Sequence, residues 1–332
     1  MAERVEEATE RVEESMDRRV ARILQGDPRS ISRAITSVEC CDSASRELLR
    51  KLFPHTGRAK IIGITGAGGS GKSTLVDGLI SSLRQKGKTV GVLALDPTSP
   101  FTGGAILGDR IRMHSHTGDP GVYIRSMATR GSLGGLSRAT MDAALVLDAA
   151  GMEYILVETV GVGQDEVEIA KLADVTLVLL VPGLGDDVQA FKAGVMEIAD
   201  IFVINKAELP GADRVEQEVQ ALLSLAPETQ GWRPPIVRTV ASRREGVEDL
   251  VETIHRFLSF SESSGVQAQR RVGHWRARLL ELLRETLMQR VMKHYLANGE
   301  LNQYASTVAA RAEDPYSVVD RILNRTDGDD RQ

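Results

Sequence analysis

The chain of 332 residues carries 41 Lys and Arg against 46 Asp and Glu, a net charge of -5, with 42% hydrophobic residues. That length buries a substantial core, in one large domain or a main domain with additions, and the near balance of charge leaves no electrostatic footprint for a nucleic-acid partner. Cys40 and Cys41, adjacent and the only two cysteines, match neither a disulfide framework nor thiolate metal spacing, so a reducing, cytoplasmic setting is expected.

The N-terminus (MAERVEEATE, 1–10) lacks the apolar centre of a signal peptide, and no apolar run has the length of a membrane span. Val5, Ala8, Val12, Met16, Val20 and Ile23 recur at spacings of three and four, which predicts an amphipathic helix over 4–25 ending near Gly26-Asp27. Two shorter helical patterns precede Pro54, completing an N-terminal helical extension over 1–56. Short β-branched runs then alternate with helical patterns: KIIGIT (60–65), TVGVLAL (89–95), GVYIR (121–125), EYILVE (153–158), VTLVLLV (175–181), DIFVIN (200–205) and PIVRTV (235–240). Runs this apolar, separated by helices, predict an α/β domain over 57–260: a mainly parallel β-sheet with helices on both faces. Past the Ser-rich stretch SFSESSG (259–265) the pattern is helical over 261–325. Trp275, Leu279, Leu282, Leu283, Leu287, Val291 and Tyr295 line one face there, either to pack on the main domain or to form a dimerisation arm. The tail TDGDDRQ (326–332) is expected to be disordered.

GAGGSGKS (66–73) fits GxxxxGK[ST], with a predicted strand before it and a helix after it. This P-loop makes Gly68, Gly69, Ser70, Gly71, Lys72, Ser73 and Thr74 nucleotide-binding candidates. Backbone N–H groups from Gly69 to Ser73 surround a β-phosphate, Lys72 reaches the β- and γ-oxygens, and Ser73 supplies a hydroxyl to magnesium. At the end of a later run, Asn205-Lys206-Ala207-Glu208 resembles the NKxD guanine-recognition motif, with Glu208 one methylene longer than the usual Asp. Ala241, Ser242 and Arg243 follow the last run and fit the loop that closes over a base. Asp96 and Glu158 end two runs, where hydrated magnesium needs oxygen ligands.

The P-loop together with DPTSP (96–100), GGAILGDRIRM (103–113), GSLGG (131–135), ETVGVGQDE (158–166), PGLGDDVQ (182–189) and NKAE (205–208) resembles the MeaB/ArgK family. These are SIMIBI-class P-loop GTPases that act as chaperones of adenosylcobalamin-dependent acyl-CoA mutases. The resemblance implies GTP and GDP as ligands and Mg2+ as cofactor, held by Ser73, Asp96, Asp109 and Glu158. Cobalamin is then involved only through the partner mutase. The resemblance further implies switch segments at 96–113, 158–168 and 182–192, with Asp186, Asp187, Gln189 and Lys192 coupling nucleotide state to the mutase. Lys72, Asp96, Glu158 and Lys192 are the catalytic candidates, a homodimer is expected, and an adenosyltransferase is a further candidate partner.

Where many GTPases have a water-orienting Gln directly after the switch glycine, Val162 follows Gly161 and the first Gln is Gln164. Slow isolated turnover, accelerated by a client protein, is the expectation. A metallochaperone GTPase for nickel or another metal is the alternative, although only the Cys pair and six scattered histidines are available to it. A small-molecule kinase lacks a recognisable acceptor site, and a transport ATPase lacks any membrane or ABC-type feature. No mutase segment is fused to the chain, so the client is expected to be a separate protein. His114 and His116 form either a His-x-His metal pair or a surface helix beside a switch, and Arg125, Arg130 and Arg138 serve phosphate or a partner, without a sequence feature that separates these.

Overall fold

All seven apolar runs form strands and every pairing between them is parallel, as the α/β expectation requires. They are β1 (Lys60–Gly66), β2 (Val90–Pro97), β3 (Val122–Thr129), β4 (Tyr154–Glu158), β5 (Val175–Leu180), β6 (Ile201–Asn205) and β7 (Ile236–Thr239), in the order β3-β2-β4-β1-β5-β6-β7. The structure, a computed structural model, describes residues 15–40, 43–97, 116, 118–129, 135–159, 168–183, 197–225, 231–294, 296 and 299–329. The chain leaves central β1 for strands on one side and later returns past it to the other, so the ends of β1 and β4 lie at a topological switch point.

Side chains of a strand alternate between faces, and the core divides accordingly. Ile62, Ile64, Val92, Leu156, Leu177 and Val203 pack with α4 (Lys72–Gln85) and α7 (Val247–Ser263) through Leu75, Leu79, Leu250, Ile254 and Phe257. Their neighbours Leu93, Leu95, Ile155 and Val157 pack with α2 (Pro28–Glu39), α3 (Ser43–Leu52) and α5 (Gly135–Ala149). Val178, Leu180, Phe202 and Ile204 meet α6 (Ala212–Leu225). Covered on both sides, β5 and β6 are buried at every residue, which is why their runs show no polar alternation.

The N-terminal extension belongs to this core. Helix α1 (15–24) contributes Met16, Val20 and Ile23 to the cluster around α5. Asp27 caps α2 by accepting from the Ser30 amide at 2.9 Å, with Pro28 in the first turn. Asp148 of α5 accepts from the amides of Gly57, Arg58 and Ala59, fixing the chain as it enters β1.

Two aspartates set the strand starts on the edge away from the P-loop. Asp174, just before β5, accepts from the Ile61 amide at 2.9 Å, and Asp200, just before β6, accepts from the Thr176 amide at 2.9 Å. Asp200 also takes both arms of the Arg270 guanidinium, at 2.9 and 2.7 Å, while Arg270 lies over the Phe257 ring. Burial pushes the Asp200 carboxyl up from its ordinary value, and Arg270 and the Thr176 amide oppose that rise.

The boundary expected at 260 falls inside a helix: α7 continues to Ser263, and the hydroxyls of Ser263 and Ser264 donate to the Phe260 carbonyl rather than loosening the chain. The chain instead divides into units of 1–270 and 271–332. The second unit holds most of α8 (Val266–His294) together with α9 (Glu300–Ala309) and α10 (Pro315–Asp329). Its small core joins Val291, Leu296, Tyr304, Val308, Val318 and Ile322. Leu279, Leu283, Leu287, Met288 and Met292 of α8 are exposed. The expected disordered tail is helical as far as Asp329.

Arg270→Ala strands the Asp200 carboxylate in the core. Because the Arg270 side chain is itself 33% exposed, the lower end of the penalty for breaking a buried pair applies, about 3 kcal/mol. A lowered urea midpoint at unchanged slope checks this.

Candidate functional site

Gly66 ends β1, and the loop through Gly71 delivers the chain to the N-terminus of α4, whose unpaired amides and macrodipole favour an anion. The buried Lys72 ammonium donates to the carbonyls of Gly66 and Ala67, at 2.7 and 3.0 Å, so it lies folded against the loop it would share with phosphate. Ser73 Oγ donates to Glu158 Oε1 at 2.7 Å, with both residues buried. The pairing follows from register: Glu158 sits beside Ile64, one strand from the loop. Ala94 of β2 is also level with Glu158, which puts Asp96 two residues further along the adjacent strand. Hydroxyl and carboxylate oxygens gathered below a helix N-terminus suit a hard cation such as magnesium. The Asp96 side chain, Asp109, and the segments with Gly161, Val162, Gln164, Asp186, Asp187, Gln189 and Lys192 lie outside the described residues, as does His114.

On the other side of the loop, Asn205 joins three segments. Its Nδ2 donates to the Ser70 carbonyl at 2.8 Å, and its Oδ1 accepts from Thr239 Oγ1 at 3.0 Å and the Ala241 amide at 3.1 Å. Lys206 has a left-handed backbone (φ 55°) and donates to the Gly69 carbonyl at 3.0 Å, so its stem runs back over the P-loop. The Ala207 amide donates to the Thr239 carbonyl, and Glu208 follows with its side chain exposed at the mouth. Ala241 is buried, whereas Ser242 and Arg243 are exposed in the turn above it. The NKxE run and the 239–243 run, far apart in sequence, therefore meet next to the P-loop.

Behind the loop, Thr159 Oγ1 donates to Thr65 Oγ1 at 3.1 Å, tying the residue after β4 to β1. Thr65, Thr159 and Thr239 fall within the KIIGIT, ETVGVGQDE and PIVRTV runs, but the sequence gives no signal of these hydrogen bonds, each of which reaches a partner distant in the chain. Thr74 is exposed on the first turn of α4. Arg125, read as a phosphate or partner group, is engaged by Glu39 and Thr36 of the N-terminal extension. Cys40 is a free, exposed thiol.

A seven-stranded parallel sheet with a P-loop at its switch point defines a P-loop nucleoside triphosphatase. The family model for the methylmalonyl-CoA mutase-associated GTPase MeaB matches residues 31–297, and the chain belongs to that family. It is a GTPase. A Pyrococcus horikoshii protein carrying only a provisional GTPase label is 50% identical over 317 residues, covering 94% of this chain and 99% of its own. The mitochondrial methylmalonic aciduria type A homolog of Mus musculus is 32% identical, covering 93% of this chain and 79% of its own. The crystal structure of an LAO/AO transport system kinase superposes with a TM-score of 0.68 at 26% identity, over 95% of this chain and 98% of that one.

Two P-loop glycines differ in what they tolerate. Gly71 has φ 90°, and an added Cβ would lie 2.4 Å from Asn205 Nδ2, whereas Gly68 faces open space. Gly71→Ala is expected to weaken GDP binding by at least about ten-fold, through backbone strain and displacement of the Asn205 amide. Gly68→Ala is expected to change it by less than about three-fold, and equilibrium titration with a fluorescent GDP analogue compares the two.

Proposed function

We propose that this GTPase is a slow guanine-nucleotide switch that escorts an adenosylcobalamin-dependent acyl-CoA mutase, gating cofactor loading and protecting or reactivating the enzyme. The observation that carries the reading is the match to a family described as mutase-associated over residues 31–297. It is supported by the relative named for methylmalonic aciduria, 32% identical across nearly the whole chain. Site chemistry is consistent with it. The N-terminus of α4 and Lys72 hold the β- and γ-phosphates, Asn205, Lys206 and Glu208 address the guanine, and Ala241, Ser242 and Arg243 close over it. Glu208 accepts from the guanine N1 and N2 donors, its extra methylene lengthening the reach across the exposed mouth.

Ser73 and Glu158, with Asp96 and Asp109 carried over from the family resemblance, would hold a magnesium ion, which when bound neutralises charge on the phosphate oxygens. Water attacks the γ-phosphate in line with the leaving GDP. Val162 in place of a water-orienting glutamine makes that step slow in the isolated protein. The client mutase then supplies or orders the missing contact, with Asp186, Asp187, Gln189 and Lys192 as the coupling residues. Cobalamin stays with the mutase.

Dimerisation is part of the same proposal and rests on α8. Leu279, Leu283 and Leu287 are spaced at four and are exposed together, a stripe of the kind that helices bury against a second copy.

Pull-down of the full chain with a non-hydrolysable GTP analogue or with GDP is expected to recover a cobalamin-dependent mutase in a nucleotide-dependent manner. Adding that mutase should raise GTP turnover by about ten-fold or more. Rapid turnover of the purified protein, unchanged by mutase, would refute the timing role. Replacing Leu279, Leu283 and Leu287 together by Lys should convert a dimer to monomer in sedimentation equilibrium, with GDP affinity preserved.

A further inference from the structure

Strand β4 ends at Glu158, but its contact with β1 continues one residue further. Ile64 pairs with Glu158 across the two strands, and the Thr159 amide donates to the Ile64 carbonyl at 3.0 Å. Next to that bond the Thr159 hydroxyl donates to Thr65 Oγ1 at 3.1 Å, with the Ile64 carbonyl at 3.5 Å as a weaker second acceptor. Thr65 and Thr159 are sealed from solvent, at 0% and 1% exposure. A hydroxyl in such a place is costly unless another polar group answers it, so valine, of nearly the same shape, would be the ordinary residue at either site.

The pair stands back to back with the contact between Ser73 and Glu158. Strand side chains alternate between faces. Leu156, two residues before Glu158, packs with α4, and Glu158 accordingly meets Ser73 on that face at 2.7 Å. Ile155 and Val157 pack on the opposite face, where Thr65 and Thr159 follow in the same alternation. The backbone that carries the Glu158 carboxylate is therefore pinned from behind by the next side chain along. Thr65 has a corresponding neighbour in the phosphate half. Its successor Gly66 offers the carbonyl that receives Lys72 Nζ at 2.7 Å, and a Cβ on Gly66 would lie 2.6 Å from the Leu179 carbonyl, so β5 confines the chain there as well. One hydroxyl pair thus joins the residue beside the Glu158 carboxylate to the residue beside the Lys72 acceptor.

We infer that Thr65 and Thr159 are positioning residues which hold the Glu158 carboxylate at Ser73, and so set how strongly magnesium and nucleotide reinforce each other's binding. Glu158 is the last residue of its strand, where the ladder ceases to restrain the backbone, and the hydroxyl pair supplies restraint at that point. Magnesium demands near-ideal octahedral geometry, with oxygens at about 2.0–2.1 Å, so a small displacement of the carboxylate weakens its hold on the ion. The inference rests on the reading of Ser73 and Glu158 as magnesium-side groups and does not depend on guanine selectivity or on the mutase partner.

The test is equilibrium titration of the full chain with a fluorescent non-hydrolysable GTP analogue, once at saturating magnesium and once in EDTA. The ratio of the two dissociation constants is the coupling between metal and nucleotide. Thr159→Val is expected to lower that ratio by about five-fold or more, and Thr159→Ser, which keeps the hydroxyl, to leave it within about two-fold of the unaltered protein. Thr65→Val is expected to lower it less, because the Thr159 hydroxyl retains the Ile64 carbonyl. The double Val variant should lie within about two-fold of Thr159→Val alone, since two residues acting through one bond are not additive. Thermal unfolding checks that each variant is folded, with Ala substituted for any Val that is not. A lowered melting temperature with an unchanged ratio would reduce the pair to a packing contact and overturn the inference. A ratio that falls equally in Thr159→Ser, or a double variant that shows the product of both losses, overturns it too. Glu158→Gln tests the magnesium reading separately. If magnesium does not strengthen analogue binding to the unaltered protein, or if Glu158→Gln leaves the ratio unchanged, that reading fails and this inference with it. A ratio that falls with Glu158→Gln but not with Thr159→Val removes the inference alone.

Discussion

The nucleotide site depends on a single amide. Asn205 uses its oxygen twice, for the Thr239 hydroxyl and the Ala241 amide, and its nitrogen once, for the Ser70 carbonyl. A backbone N–H can only donate and a carbonyl can only accept, so the partners dictate which way the side chain points. Three segments are thereby held at hydrogen-bond distance inside the protein: the P-loop, the end of β7 and the turn beyond it. Buried polar groups so satisfied are strong and specific, and losing one member leaves the others with unmet desolvation costs. The P-loop and the turn after β7 are accordingly one object. Gly71 has no side chain because the amide occupies the space where one would be.

Much of the fold was legible in the chain, for a physical reason. A strand buried on both faces must be apolar throughout, so β5 and β6 appeared as uninterrupted runs, and the GxxxxGK[ST] loop needed only its strand and helix to be recognised. The phosphate lysine, the Ser73 and Glu158 pair and the NKxE run were each found from local pattern, and the structure brings them together at one end of the sheet. What local pattern could not convey is contact across the chain. Thr65 and Asp77 belong to no short functional motif, and nothing in the local pattern around His116 places it beside the carboxylate of Asp77. The Ser-rich stretch misled because serine is as ready to cap a helix as to loosen a loop: at Ser263 and Ser264 its hydroxyls return to the Phe260 carbonyl.

The opposite edge of the sheet has its own order. Asp174 and Asp200 each precede a strand and each accept an amide from the neighbouring strand, so the same device is used twice in succession. Residues from the start of α8 reach both: Gln267 approaches Asp174 and Arg270 takes Asp200. The last residue of the first compact unit is therefore an anchor for β6, the strand that ends in Asn205. Asn205 at one end of that strand and the ion pair at its other end share five residues of rigid backbone.

The N-terminal helices alter what counts as the minimal enzyme. Ile23, Ile31, Ala34 and Ile35 are sealed against Leu147 and Ile155, and the three amides after Thr56 are all claimed by Asp148. A chain trimmed to start at β1 would keep every nucleotide-binding group yet present a wet, oily flank where those helices had lain. Such a fragment would seek its own kind before it sought GTP, so the motif-bearing portion of the sequence and the portion able to exist alone are different lengths of polypeptide.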